Sequence, residues 1–417
     1  MVPKVEGSNR YDTVIIGAGP AGSYASLRLS KFGQKVLLMD MKHEIGRPMH
    51  CAGLVNNKLF KLPFLDRIED QVLLGEISGA DVFSPDGTII PLRGKETKAY
   101  SIDRYLFDSA LLKMAANAGT RILLGTLLKD IRTNNDGSAE VSFTGPQGNG
   151  KVIADMVLGC DGGSSRTRSI LGLENPKETI PGISMEIEIG SGDVPRDRVA
   201  VLTGEKTAKG FFAWIIPSFP EKGIRLGLSA VDGPGLRSGL DNLFLDRRIS
   251  SFLSIDEGLK KSLCVISKVY GSVPMGQPRE ISKGPVLLMG DSAGMAKPTS
   301  GGGIYPALMA VDTLIRSIDD GNKTTLETIK TFNQLWKKGY GRELTRALAL
   351  RRIVRDLSDE EMNTSLEALS DERKLDLINE KGDIDHPVQL AVGLLKMDPS
   401  LLALIPRFIP HLRRIFF

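Results

Sequence analysis

A chain of 417 residues with 41% hydrophobic and 25% charged residues has a globular composition, which excludes a disordered or collagen-like chain, and its length calls for two or three packed units. A net charge of +4 is too mild to argue for a nucleic-acid partner. Three cysteines cannot supply the four thiolates of a typical iron–sulfur cluster, and their spacing does not read as a zinc site.

The opening segment, MVPKVEGSNRYD, lacks the apolar core of a signal peptide, and no run approaches the roughly 18 apolar residues of a membrane span, so a cytoplasmic location is expected. The chain then reads strand, turn, helix, strand: Thr13–Ile16, Pro20 to about Phe32 ending at Gly33, and Lys35–Met39. This is a βαβ unit. A hairpin is expected around Asp86-Gly87, between Val82-Phe83 and Thr88–Ile90. Tyr105–Ala118 has helical spacing, ends at Gly119 and leads into an apolar strand, Arg121–Leu124. Turn clusters at Asn135–Gly137 and Gly145–Gly150, separated by Ala139–Phe143, suggest a β-meander. Short strands at Ile183–Ile189, Phe211–Ile216 and Ile224–Ala230 suggest a second, sheet-based unit. Beyond Lys323 the pattern is helical and strongly charged.

The turn after the first strand is GAGPAG, in which Gly17, Gly19 and Gly22 occupy the three positions of GxGxxG around Ala18. Glycine at these positions permits the turn, the approach of a pyrophosphate, and close packing of helix on strand. Asp40 falls at the end of the next strand, about 20 residues on, where a carboxylate can accept from the hydroxyls of a ribose. Two further apolar strands end in aspartate: Val157–Cys160 before Asp161, and Val286–Gly290 before Asp291. Each aspartate could hold a polyhydroxyl chain or cap a helix. The stretch from Pro298 to Ile304, with Gly301, Gly302 and Gly303, could present bare backbone N–H groups to a flat ring.

Taken in order, GAGPAG, Asp40, SIDRYLFD (Ser101–Asp108), CDGGSSRTR and LLMGDSAGMAKPTSGGGI resemble the FAD-binding framework of the aromatic-hydroxylase-like flavoproteins. EIGRPMHCAG (Glu44–Gly53) and GFFAWIIP (Gly210–Pro217) are similar, more narrowly, to the geranylgeranyl reductase family, which includes archaeal enzymes that saturate the isoprenoid chains of membrane lipids. The resemblance implies an α/β plus α+β architecture: a Rossmann-type FAD-binding domain from residues 1–60, 97–175 and 271–325, a β-sheet substrate domain from 61–96 and 176–270, and a C-terminal helical region, 326–417. It implies that Gly17, Ala18, Gly19, Gly22 and Asp40 hold the ADP half of FAD. Cys51, Ala52, Gly53, Arg104, Leu128, Asp161 and Asp291 would face the remainder, with Gly302, Gly303 and Ile304 at the pyrimidine end. Phe212, Trp214 and Pro217 would line the substrate side. Phe212 stands where that family has tyrosine, so the hydroxyl is missing.

A flavin passes a hydride, and an isolated alkene also needs a proton source in a dry pocket. Cys51 and His50 are the titratable candidates, with simple packing of Cys51 beside the ring as the alternative. The other histidines are scattered, so no metal site is expected. An isoprenoid lipid is the expected substrate. Without a second GxGxxG, the donor is expected to be ferredoxin or transiently bound NAD(P)H. Leu401–Ile405 and Phe408-Ile409, flanked by Arg407, Arg413 and Arg414, could lie on an anionic membrane surface or pack as a helical cap. Alternative functions for the same framework are a monooxygenase or halogenase and a membrane-docked flavin electron carrier. Only Trp214 and Trp336 are present, which leaves no Trp-x-Trp-x-Ile motif of the halogenases.

Overall fold

The computed structural model describes residues 9–49, 51–218, 222–255, 263–318, 324–383 and 385–401. Its first sheet is built on five parallel strands. The strand Arg10–Ile16 lies between Val36–Met39 and Gly148–Gly159, with Arg121–Leu123 beyond the former and Val286–Leu288 beyond the latter. These central strands read as unbroken apolar runs because both of their faces are covered. Ile15, Leu38, Leu158 and Leu287 face one core, formed with the helices Pro20–Lys31, Arg104–Asn117 and Ile304–Ile318. Val14, Leu37, Val157 and Val286 face the other, closed by the meander of Leu127–Thr133, Ala139–Gly145 and the first half of Gly148–Gly159. The sequence reading placed a loop over Gly145–Gly150. Gly148–Gly150 instead pair with Phe143–Gly145, so the turn is confined to Pro146-Gln147.

A second sheet of seven strands runs in the order Leu263–Met275, Glu178–Ile189, Gly223–Ser229, Ala213–Pro217, Arg198–Leu202, Gly79–Phe83, Ile89–Arg93. The hairpin expected at Asp86-Gly87 is its outer pair, with Phe83 opposite Ile89. Phe211 and Phe212 precede the strand that the sequence reading began at Phe211. One face buries Ile187, Leu202, Ile215 and Leu226 with the helices Gly233–Leu243 and Arg247–Phe252. The opposite face carries Val199, Ile216 and Trp214 against Ile77, Ala99, Ala52 and Leu54. Those last residues lie on or beside a small third sheet of Leu54–Asn56, Ala99–Ile102 and Leu73–Ile77, which spans the boundaries expected near residues 60 and 97.

Among the described residues, five helices follow Thr324: Thr325–Lys338, Tyr340–Arg355, Asp359–Leu369, Glu372–Lys381 and Pro387–Met397. Thr324 with Glu327, and Ser358 with Glu361, form reciprocal capping boxes that define two of the starts. The charged pattern of this region includes more than a solvated face. Arg351 is 4% exposed and its Nε donates to Glu178 at 3.0 Å. Among the described residues no helix is long and apolar enough to cross a membrane. Most of the apolar C-terminal stretch weighed as a membrane contact lies outside the described residues.

Candidate functional site: a cleft for a dinucleotide

The carboxyl ends of the parallel strands open onto a cavity of about 460 Å³, the place where open α/β sheets bind ligands. Gly17 has φ +102° and donates its N–H to Met39 O at 2.7 Å, turning the chain across the top of the sheet. A Cβ at Gly17 would lie 2.3 Å from Cys160 O, and one at Gly22 only 1.8 Å from Gly17 O. Strand, turn and helix are therefore packed backbone to backbone. Gly19 differs, because a Cβ there would meet nothing within 4 Å and Gly19 lines the cavity. That open side, at a helix N-terminus, suits a pyrophosphate. Asp40 also lines the cavity, and its carboxylate accepts from the backbone N–H of Ala18 at 2.6 Å and of Lys42 at 2.8 Å. It thus braces the glycine turn with lone pairs left for hydroxyls.

The two aspartates at strand ends have different jobs. Asp161 accepts from Ser165 Oγ at 2.5 Å, Thr167 N at 2.8 Å and Thr167 Oγ1 at 2.9 Å, so its carboxylate orders the start of the helix Arg166–Leu171 while the residue borders the cavity. Asp291 has no such partner among the described residues and borders the same cavity. Burial pushes its pKa up to about 6, with Arg104 pulling the other way. A half-buried carboxylate facing a cleft without donors is the fit expected for a polyhydroxyl chain. Arg168, which the sequence reading passed over, ties the two strand ends together: it donates to Ser292 O at 2.9 Å and to Gly163 O at 2.7 Å.

At the far end, Gly301, Gly303 and Ile304 line the cavity. A Cβ at Gly303 would sit 2.9 Å from Asp291 Oδ1, so the turn closes onto that carboxylate only as glycine. Gly302 turns its α-carbon toward Lys297 instead. Leu128 is 2% exposed and borders the opposite side. Arg104 reaches in from its helix, holding Asp108 through Nε at 3.1 Å and Nη2 at 3.0 Å. Burial works against its charge, and Asp108 and the Cys51 side chain outweigh it, so its pKa stands above the ordinary value.

Cys51 is half-buried at the cavity wall, and Gly53 N–H points at its Sγ, 3.4 Å away. The loop is held by a residue without a sequence signal. Arg225, 2% exposed, donates through Nη1 to Ala52 O at 3.2 Å and Ile102 O at 2.9 Å, while Nε pairs with Glu186 at 2.8 Å. Gly53 has φ +69°, and a Cβ on it would lie 2.0 Å from Arg225 Nη1. His50 lies outside the described residues. Cys160 is a core residue, its thiol pushed up by burial and by Asp161.

Phe212, Trp214 and Pro217 are not on the wall of this cavity. Phe212 stacks on Phe211 with ring centroids 4.2 Å apart and meets Trp214 edge-on at 6.2 Å. Trp214 shares an apolar cluster with Ala52 and Leu54, and its buried Nε1 has no hydrogen-bond partner among the described residues. Pro217 is buried, and its carbonyl accepts from Ser101 Oγ at 2.7 Å. Phe211 makes the link to the cleft: its ring lies near the position a Cβ would take on Gly301, at 3.6 Å, and the Arg351 guanidinium stands 4.8 Å from its centroid.

Comparison with known proteins agrees with this geometry. The family model for the FAD binding domain matches residues 91–318, and that for an NAD(P)-binding Rossmann-like domain matches residues 15–63. The chain is 28% identical over 400 residues to a digeranylgeranylglycerophospholipid reductase of Methanocaldococcus jannaschii, covering 94% of this chain and 98% of that one. It is 27% identical over 388 residues to the protein of the same name in Methanothrix thermoacetophila, covering 88% and 94%. A solved geranylgeranyl bacteriochlorophyll reductase-like structure from Thermoplasma acidophilum superposes with a TM-score of 0.81 at 21% identity, covering 95% of this chain and 98% of that one.

Proposed function

Because the chain belongs to the family of the FAD binding domain, we propose that it is an FAD-dependent reductase that saturates the C=C bonds of geranylgeranyl chains in isoprenoid membrane lipids or their precursors. The observation that carries the reading is the near full-length similarity to reductases of that name, on a chain whose cleft suits FAD at both ends. FAD supplies a hydride at one ring position.

The chain's own residues do the rest. Gly17, Ala18, Gly19 and Gly22 seat the pyrophosphate and Asp40 the adenosine ribose. Asp291 takes the ribityl hydroxyls, and Gly301, Gly303 and Ile304 receive the ring. Arg104 keeps a fixed positive charge beside Cys51. Cys51 delivers the proton that an unpolarised alkene requires, from a loop that Arg225 holds in place. The cluster of Trp214, Ala52 and Leu54 keeps the approach dry, and Phe211 and Phe212 border it. Ferredoxin or NAD(P)H serves as donor, and the lipid is drawn from a membrane surface that the protein touches peripherally.

The test is anaerobic incubation of the chemically reduced holoprotein with a digeranylgeranylglycerol phospholipid. The product gains two mass units for each bond saturated. Unchanged lipid mass would move the oxygenase and electron-carrier readings of the same cofactor fold ahead.

A further inference from the structure

Behind the Gly301–Gly303 turn lies a pair of buried opposite charges. Lys297 opens the turn: its N–H donates to Gly302 O at 3.0 Å and its carbonyl accepts from Gly301 N–H at 2.8 Å. The side chain runs beneath the turn, so that a Cβ on Gly302 would lie 2.8 Å from Lys297 Cε and 3.3 Å from Nζ. The ammonium meets Asp385 in an ion pair whose side chains are 6% and 0% exposed. Asp385 belongs to the segment between the helices Glu372–Lys381 and Pro387–Met397. Its Oδ1 also lies 3.4 Å from the Tyr340 hydroxyl, and its Oδ2 has no hydrogen-bond partner among the described residues.

A pair this deeply buried is a poor source of stability, since desolvating two ions offsets most of their attraction and an apolar replacement is often no worse. An incompletely satisfied carboxylate makes it poorer still. Its position gives it another use. Gly301 and Gly303 border the cavity on one side of the turn, and the ammonium lies on the other side, in surroundings of low dielectric where a charge acts over several ångströms. The two members are unequally placed: Lys297 is part of the turn, and Asp385 reaches it from the C-terminal helices.

We propose that the Lys297–Asp385 pair sets the reduction potential of the bound flavin, with Lys297 as a fixed positive charge behind the seat of the ring and Asp385 as the counter-charge that moderates it. A ring that gains negative charge on reduction is stabilised by the nearer, positive member. Both are positioning residues. The inference rests on FAD occupying the cleft and not on the identity of the lipid.

The experiment measures the midpoint potential of FAD-loaded full-length protein for Asp385→Asn, Lys297→Gln and the double variant Lys297→Met/Asp385→Leu. Removing the counter-charge in Asp385→Asn is expected to favour reduced over oxidised FAD by about tenfold, a rise of about 30 mV for a two-electron couple. Lys297→Gln is expected to move the ratio about tenfold the other way. The neutral double variant should fall within about threefold of the parent. Because the two single variants depart from the parent in opposite directions, either one that folds and holds FAD decides the matter, and the double variant serves as the charge-neutral control. If the folded single variants share the parent's potential within threefold in this ratio while their melting temperatures differ, the pair is a strut and the proposal fails. A chain that takes up no FAD refutes the reading of the cleft instead, and a chain that holds FAD but reduces no lipid leaves this measurement fully informative.

Discussion

Replacing Arg225 with methionine keeps an unbranched apolar stem but removes the guanidinium that pins the Cys51 loop. Each bond from a charged donor to a buried carbonyl is worth about 1.5–3 kcal/mol, and Arg225 makes two, to Ala52 O and Ile102 O. Only the bond to Ala52 O reaches the loop, the other anchoring the guanidinium to the strand Ala99–Ile102, so its loss gives about 1.5–3 kcal/mol, or roughly one to two decades in the equilibrium between the held and released loop. Glu186, partly open to solvent, can rehydrate and adds little. The assay is alkylation of Cys51 by a small thiol reagent, followed by peptide mapping. Cys264 is exposed and Cys160 buried, so they mark the fast and slow limits within the same molecule. Arg225→Met should raise the Cys51 rate by up to about 100-fold, and Arg225→Lys, which keeps the charge but not the planar fork, by about tenfold. A folded Arg225→Met protein whose Cys51 reacts within threefold of the parent would show that the arginine does not hold the loop.

Three other outcomes follow from the same geometry. Gly22→Ala places a methyl where a Cβ lies 1.8 Å from Gly17 O, a clash of backbone against side chain costing about 1–3 kcal/mol; flavin fluorescence titration should show FAD affinity falling by tenfold or more. Asp291 carries a folded-state pKa raised to about 6 by burial, so in the FAD-free protein its stabilising, protonated state is complete below the unfolded value near 4 and is lost as pH rises through about 6. Apoprotein with Asp291→Asn should therefore melt higher than the parent at pH 7, with the gap closing by pH 4, while its FAD affinity at pH 7 falls. Trp214→Ala should raise KM for the lipid several-fold and leave the FAD dissociation constant unchanged, since the indole lies beside Ala52 and Leu54 rather than on the cleft wall.

The parts of this site that sequence revealed are those in which a residue type is dictated by its own backbone. Gly17 and Gly22 were legible because only glycine fits 2.3 Å from Cys160 O or 1.8 Å from Gly17 O. The strand ends at Asp161 and Asp291 looked alike in sequence, and their different uses are decided by Ser165 and Thr167, which satisfy the first and have no counterpart at the second. Arg225 and Lys297 escaped notice because their partners lie 173 and 88 positions away, a separation that no local pattern encodes, and the tie from Arg168 that joins the two strand ends spans 124. Arg351 belonged to a run of charges that reads as a solvated helix face, yet Glu178 and the Phe211 ring bury it. The small sheet of residues 54–56, 73–77 and 99–102 was missed because its strands are three to five residues long and lack alternation.

The central claim is that electrons held on FAD in this cleft end in a carbon–carbon double bond. Holoprotein reduced photochemically without oxygen, then mixed with the geranylgeranyl phospholipid in stopped flow, should regain the oxidised flavin spectrum, and the lipid recovered should be heavier by two mass units for each equivalent of flavin reoxidised. A flavin that stays reduced in excess lipid, and returns to the oxidised spectrum only when oxygen or a quinone is admitted, would contradict the account.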